Sequence, residues 1–305
     1  SAASSQARQR HGEIRRGYPA STCLSWPEKG STADMATTRE STVLRTESTP
    51  TTNTLPFRAA DFSTLTEALD YASQGVTGAN FYSGRGDLYA TLPFADLRQQ
   101  AITLARKFIA LGLLKGDRVA MVAETHPDFL RVFFGCQYAG LVPVALPATI
   151  NLGGHQSFVA QLRGLIENSG AAVVIASEGF LPFVIEAVEG LELSMVGEPA
   201  EFDALAESTD PLPLIGANDV SYLQYTSGST RFPRGVIIEH RSVMSNLTGI
   251  IADGVRIGAT DRLFSWLPFY HDMGLVGLVL VPVAAQISVD YMDTRDFAMR
   301  PRQWL

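Results

Sequence analysis

Cysteine is scarce in this chain, and its scarcity excludes several classes of protein. Two of the 305 residues are cysteine, Cys23 and Cys136. No CxxC pair and no His/Cys/Asp cluster has metal-ligand spacing, so no protein-bound metal site is predicted. No disulfide framework is expected, which favours a reducing, cytoplasmic location over secretion. Cys136 lies in an apolar run and is predicted to be a buried small hydrophobic residue.

Positive charge and long apolar runs are also scarce. The chain has 24 Lys and Arg against 31 Asp and Glu, a net charge of −7. No basic stripe is visible, so nucleic acid is not expected as a partner. The longest apolar stretch, residues 275–285, is interrupted by Gly277 and Pro282. It is too short for a membrane-spanning helix, which needs about 20 residues.

Residues 1–54 differ in composition from the rest of the chain. About a third of them are Ser or Thr, and large apolar side chains are few. Such a segment cannot bury enough surface to offset its ordering entropy, so it is predicted to be disordered or a non-native extension upstream of a start at Met35. Four early arginines leave a targeting peptide as an alternative, although no arginine-rich amphipathic helix is clear.

From about residue 57 the pattern becomes α/β. Apolar residues recur at helical spacing over 97–108, after Pro127 and over 158–166. Short apolar strands are predicted at 119–123, 141–146 and 172–176. Strands that alternate with helices imply a largely parallel sheet covered on both faces.

The most informative segment is residues 225–236, which read YTSGSTRFPRGV between two strand-like runs. Hydroxyls and free backbone N–H groups can donate to phosphate, glycine lets the backbone approach closely, and arginine neutralises charge. The segment is not a Walker A loop, which needs GxxxxGK[ST] leading into a helix. It is predicted to wrap a polyphosphate. The alternative is a solvated Ser/Thr/Gly-rich hairpin loop.

This segment resembles the phosphate-binding signature TSGSTGxPKG of the adenylate-forming (AMP-binding) enzymes, which include acyl-CoA synthetases, peptide-synthetase adenylation domains and luciferases. Arg231 stands where most of the superfamily has glycine, and Arg234 where it has lysine. Arg231 is similar to the arginine common in the fatty acyl-AMP ligase branch. A second segment, residues 266–275 (WLPFYHDMGL), resembles LPLYHDMGL of that branch.

The resemblance, which runs from about Thr64 to Leu305, implies the fold. Residues 55–305 are expected to form an incomplete large N-terminal domain of the luciferase-like fold, with layered, largely parallel sheets flanked by helices. The family's YGxTE-like segment is not found in the sequence. We therefore expect the rest of the large domain, and the lysine-bearing small domain, to lie outside this chain.

The resemblance also implies a site for ATP and Mg²⁺, with the magnesium arriving with the nucleotide. Arg234 is expected to screen the β- and γ-phosphates and the leaving pyrophosphate. Arg231 either contacts phosphate or pairs with an acid, and both alternatives stay open. The other expected contacts are hydroxyls for phosphate hydrogen bonds, at Thr226, Ser227, Ser229 and Thr230, and glycines for close approach, at Gly228 and Gly235.

His271 is expected, by resemblance, to lie near the reacting carboxylate, between an acyl tunnel and the nucleotide. A positioning or gating role is predicted rather than proton abstraction, because a carboxylate nucleophile is already ionised. The alternative is a structural histidine. Asp272 either caps the following helix or contacts substrate. His126 is predicted to begin a helix, and His155 and His240 to be turn or cap residues.

The resemblance implies activation of a fatty acid with ATP to fatty acyl-adenylate and pyrophosphate. Transfer to an acyl carrier protein, for lipid, polyketide or lipopeptide synthesis, would follow. Two alternatives stay open: an acyl-CoA synthetase, and a non-catalytic acyl- or nucleotide-binding module. Activity of this length of chain by itself is a separate question.

Overall fold

The structure is a computed structural model that describes residues 55–149, 154–226 and 234–304. The predictions for residues 1–54, including Cys23 and Met35, lie outside this range. The described strands form two sheets, one of six strands and one of four. The predicted layered, largely parallel α/β architecture is confirmed.

The six-stranded sheet has the order β6-β5-β3-β4-β7-β8. Neighbouring strands are parallel except for β7 and β8, which form an antiparallel hairpin. The strands are β3 (Arg118–Val122), β4 (Val142–Leu146), β5 (Ala171–Ile175), β6 (Met195–Gly197), β7 (Val220–Thr226) and β8 (Arg234–Glu239). The parallel strands all end at one edge, where side chains of different strands meet.

The four-stranded sheet has the order β2-β1-β10-β9. It joins strands from the two ends of the described chain, because β1 pairs in parallel with β10. Its strands are β1 (Gly78–Tyr82), β2 (Leu88–Pro93), β9 (Arg262–Ser265) and β10 (Ser288–Met292). Strand β9 ends at Ser265, six residues before His271.

The helices cover the sheets. They are α1 (Leu65–Ala72), α2 (Phe94–Ala110), α3 (Pro127–Ala139), α4 (Gly154–Ser169), α5 (Leu181–Ala187), α6 (Pro199–Asp203), α7 (His240–Thr248), α8 (Val281–Ala284) and α9 (Thr294–Met299). Two π-helical segments span Gly249–Gly254 and Met273–Leu280, and a short 3₁₀ helix spans Pro301–Trp304. The helix predicted from Met273 onward is thus present, in the wider π form that is often found at functional sites. Within the described residues, no helix is long and apolar enough to cross a membrane.

Local sequence signals explain where α3 begins and ends. Pro127 occupies its first turn, and the His126 side chain accepts a hydrogen bond from Asp128 N at 3.3 Å, which confirms the predicted helix entry. Gly140 ends the helix in the left-handed conformation, with φ of 68°. The helix buries Cys136 completely, as predicted, and this burial raises the pKa of the thiol.

Candidate functional site

The β7–β8 hairpin holds the two ends of the predicted phosphate loop together. Thr226 and Arg234 are partners across the antiparallel ladder, and the seven residues between them lie outside the described range. The predicted contacts that fall outside the described residues are Ser227, Gly228, Ser229, Thr230 and Arg231.

Tyr225 and Gly235 form the next pair of the hairpin. The Tyr225 ring lies so close to Gly235 that an added Cβ would sit 3.3 Å from two ring carbons. The Tyr225 hydroxyl donates to Asn168 Oδ1 at 2.7 Å, at the end of α4. Gly235 therefore permits a close approach within the protein itself, and the hairpin is fixed to the helix layer.

Arg234 is exposed at the first position of β8. In the part of the chain that the structure describes, no Asp or Glu side chain forms an ion pair with it. Its guanidinium charge is therefore not neutralised by these residues. A cation in this position can bind an anionic ligand at the mouth of the hairpin.

Thr226 and His271 line the same cavity, although 45 residues separate them in sequence. The cavity has a volume of about 170 Å³ and lies at the carboxyl ends of β4 and β7. The fold thus brings together the two segments that the sequence analysis singled out. The other lining residues are Ala145, Pro147, Gln161, Leu165, Tyr225, Tyr270 and Asp272.

His271 and Asp272 lie side by side at the edge of this cavity. His271 Nδ1 lies 2.7 Å from Asp272 Oδ1 and accepts a hydrogen bond from the Met273 N–H at 3.4 Å. Asp272 Oδ1 also accepts from Met273 N at 2.7 Å, which confirms the predicted helix cap. These contacts leave Nε2 as the ring nitrogen available to a ligand.

Sequence reasoning missed Gln224, which connects the two segments. Its Nε2 donates to the main-chain oxygen of Tyr270 at 2.8 Å, and the side chain is buried. Tyr270 is held a second time, because its hydroxyl lies 3.2 Å from Thr149 Oγ1. The available signal was an uncharged polar residue in a strand-like run, two positions before Thr226.

An apolar cavity of about 560 Å³ lies next to the His271 segment. Asp272 lines both this cavity and the smaller one, so the two share a wall. Met273, Val276 and Gly277 of the π-helical segment line it, together with Asn246, Ile250, Val255, Ile257, Leu263, Leu278 and Val281. Its lining fits an apolar ligand, whose burial the hydrophobic effect favours.

A further cavity, of about 220 Å³, lies where β3 and β5 end, and it includes Glu124, His126 and Glu178. None of the predicted site residues lines it. We take the cavity with Thr226 and His271 as the candidate site, because that one joins the phosphate hairpin to the histidine segment. In the described residues, no group of three or more His, Cys, Asp or Glu side chains could hold a metal ion.

The other histidines have structural contacts. His240 is 1% exposed, and its Nδ1 accepts from Leu65 N at 3.2 Å, so it caps α1 rather than its own helix. Burial lowers the pKa of His240 to about 4. His155 is exposed, and its Nε2 forms an ion pair with Glu186.

Comparisons with known proteins identify the family of the chain. The model of the family described as AMP-binding enzyme matches residues 72–305. The chain belongs to this family. Its relatives include fatty acyl-AMP ligases and acyl-CoA synthetases.

Two relatives of this AMP-binding chain represent the two kinds of enzyme, an acyl-CoA synthetase and a fatty acyl-AMP ligase. It is 44% identical over 257 residues to a protein of Caulobacter vibrioides named as an acyl-CoA synthetase, covering 84% of this chain and 45% of the relative. It is 32% identical over 226 residues to a long-chain-fatty-acid–AMP ligase of Mycobacterium tuberculosis, covering 70% and 37%. The chain thus spans about half the length, or less, of these relatives.

Solved structures agree with this assignment. One, from a study of fatty acyl-adenylate ligases of E. coli and L. pneumophila, is 50% identical with a TM-score of 0.79, covering 82% of this chain and 45% of that one. Another is a fatty acyl-adenylate ligase of L. pneumophila in complex with acyl adenylate and pyrophosphate. It is 25% identical with a TM-score of 0.67, covering 82% and 43%.

Proposed function

We propose that this chain is part of an enzyme that activates a fatty acid with ATP, forming fatty acyl-adenylate and pyrophosphate. The observation that carries the proposal is the shared cavity of Thr226 and His271, which adjoins the apolar cavity at Asp272. A phosphate-binding hairpin, a chamber in which a hydroxyl and a histidine meet, and an apolar chamber are the parts that this reaction needs.

The chemistry requires a carboxylate to attack the α-phosphate of ATP, so two anions must meet. The barrier falls if the site supplies positive charge and holds the reacting groups in line. Arg234 supplies charge that the described acids do not neutralise. Thr226 supplies a hydroxyl that can donate to a phosphate oxygen.

His271 would orient the fatty acid carboxylate at the junction of the two cavities. Its Nδ1 faces Asp272 and the Met273 N–H, so Nε2 is the nitrogen left for the ligand. With the ring proton on Nε2, His271 would donate a hydrogen bond to the carboxylate and hold the nucleophile while the proton stays on the ring.

ATP fits the donor groups at this end of the hairpin, and the resemblance assigns the hydroxyls of Ser227, Ser229 and Thr230, outside the described range, to the same phosphates. Mg²⁺, when bound, supplies further charge neutralisation on the phosphates. We infer that it enters with the nucleotide. A cytoplasmic location likewise stays a prediction from the cysteine content.

For the acceptor we propose the phosphopantetheine thiol of an acyl carrier protein. The support is the arginine at position 231 and the HDMGL sequence at 271–275, both similar to the fatty acyl-AMP ligase branch. An acyl-CoA synthetase is the second candidate, favoured by the name of the 44% identical relative.

The test uses the full-length protein with ATP, Mg²⁺ and a series of fatty acids. Pyrophosphate release that depends on the fatty acid, with acyl-adenylate detected by mass spectrometry, is the expected result. Free CoA and a phosphopantetheinylated carrier protein are then offered separately as acceptors. Acyl transfer to CoA alone would reject the carrier protein. Binding of ATP without any pyrophosphate release would reject the enzyme in favour of a binding module.

A further inference from the structure

Gln224 is a buried residue that joins the phosphate hairpin to the histidine segment. It lies on β7 two residues before Thr226, and its side chain is 7% exposed. Its Nε2 donates to the carbonyl oxygen of Tyr270 at 2.8 Å, across 46 residues of sequence. Because Tyr270 directly precedes His271, this bond fixes the main chain immediately before the histidine.

The orientation of the Gln224 amide follows from its neighbours. Its nitrogen lies 2.8 Å from the Tyr270 carbonyl and 3.5 Å from the Tyr225 carbonyl, and both partners can only accept. The NH₂ group must therefore face them. Oε1 then faces elsewhere, and it is buried with no hydrogen-bond donor among the described residues.

A buried acceptor without a donor lowers stability. An apolar side chain of similar shape, such as methionine, would avoid this cost. Stability by itself is therefore a poor explanation for an amide at this position. The amide provides the hydrogen bond from Gln224 Nε2 to the Tyr270 carbonyl, which an apolar side chain cannot form.

The residue on the other side of Tyr270 shows why this bond matters. Phe269 is completely buried, and its ring packs against Phe129 and Tyr291 at centroid distances of 5.2 and 4.9 Å. This apolar packing keeps the chain around Phe269 in the core, but it has little directional preference. The hydrogen bond from Gln224 is directional, so it sets the position of the Tyr270 main chain along β7.

We propose that Gln224 is a positioning residue, which holds His271 in place relative to Thr226 and Arg234. The proposal rests on the function proposed above. Without the bond, the carbonyl of Tyr270 loses its partner and the His271 ring is free to shift from the shared cavity.

The test compares Gln224→Met with Gln137→Met in the full-length protein. Gln137, on α3, is a matched control because it is also buried, with 1% exposed. Its Nε2 donates to the main-chain oxygen of Ser221 on β7 at 2.7 Å, away from the cavity. Gln224→Met is expected to lower kcat for fatty-acid-dependent pyrophosphate release by about 10- to 100-fold, as a small misplacement can. KM for ATP should change little. Gln137→Met should destabilise the protein and leave kcat per folded molecule unchanged.

A second measurement separates this proposal from the function itself. The imidazole NMR signals of His271 are recorded in the unmodified protein and in both variants. They should move in Gln224→Met and not in Gln137→Met, whether or not the protein releases pyrophosphate. Unmoved His271 signals, or equal kcat losses in the two variants, would overturn the positioning role. If Gln224→Met does not fold, Gln224→Asn, which retains the amide on a shorter side chain, is measured in the same way.

Discussion

Thr226 and Arg234 lie opposite each other as cross-strand partners at the loop end of the β7–β8 hairpin. The hydroxyl and the guanidinium thus stand at the two ends of the segment that resembles a phosphate-binding signature. The proposed chemistry of the chain depends on this pair and on its distance from His271. The predictions below test these parts one at a time.

Replacement of Arg234 tests the charge at the hairpin. We expect Arg234→Ala in the full-length protein to lower kcat for adenylate formation by about 10²-fold, because a cation that stabilises the transferring phosphate is lost. Arg234→Lys should retain part of the activity, because it keeps the charge but not the forked geometry. The control is Arg241→Ala, which removes an exposed arginine paired with Glu239. Unchanged turnover in Arg234→Ala would remove this residue from the mechanism.

Asp272→Asn separates the two roles of Asp272. Asparagine caps helices as well as aspartate, so the free energy of unfolding should change by less than about 0.5 kcal/mol. The charge that faces His271 Nδ1 is lost, so kcat should fall, though by less than in His271→Ala. Urea unfolding and pyrophosphate release provide the two measurements. A variant that is fully active would restrict Asp272 to its capping role.

Gly274 is predicted to be intolerant of any side chain. An added Cβ would lie 2.2 Å from the Pro268 carbonyl oxygen, and main-chain atoms cannot move aside cheaply. Gly274→Ala should therefore destabilise the protein by roughly 1–3 kcal/mol and displace the turn before His271. Gly277→Ala is the matched control, because a Cβ there meets no atom within 4 Å. Equal unfolding midpoints for the two variants would contradict the close approach at Pro268.

Gly277 also provides a test of the apolar cavity. It lines that cavity, and its Cβ position is open. Gly277→Trp should fill part of the space, raising KM for long-chain acids more than for short-chain acids while KM for ATP stays the same. Gly164→Trp is the control, since Gly164 is exposed on α4 and has equally open space. The same loss for every chain length would place the acyl group elsewhere.

His240 predicts a pH dependence of stability. Its pKa lies at about 4 in the folded protein, against an ordinary 6.5, because burial disfavours the charged ring. The unfolded chain therefore takes up this proton at a higher pH than the folded one, and the free energy of unfolding falls as pH drops from about 6.5 to about 4. The contribution is roughly 3 kcal/mol.

Urea unfolding across this pH range checks the prediction. His240→Asn keeps an acceptor for Leu65 N but does not titrate, so its unfolding free energy should depend less on pH in this window. His155→Asn, which replaces an exposed histidine, should retain the dependence of the unmodified protein. A pH profile of His240→Asn identical to that of the unmodified protein would mean that His240 is not the group responsible.

The amino-acid sequence by itself determined the class of fold, the two motifs and the family. Periodicity over 97–108 and the turn signals at Pro127 and Gly140 are local, because they depend on residues within one helix, and so they could be read without the structure. The burial of Cys136 followed from its apolar neighbours in the same way. The hydroxyl-rich segment was recognisable because the residues proposed to contact phosphate are adjacent in the chain.

Only the tertiary structure decided which distant residues meet. Gln224 and Tyr270 are 46 residues apart, and His240 caps a helix that begins 175 residues earlier. Neither contact has a local signature, because a hydrogen bond between elements depends on how the sheet orders its strands. The shared wall of the two cavities at Asp272 is likewise a product of packing. The sequence thus specified which groups are proposed to carry the chemistry, and folding set their distances, because contacts between elements form only when the layers pack.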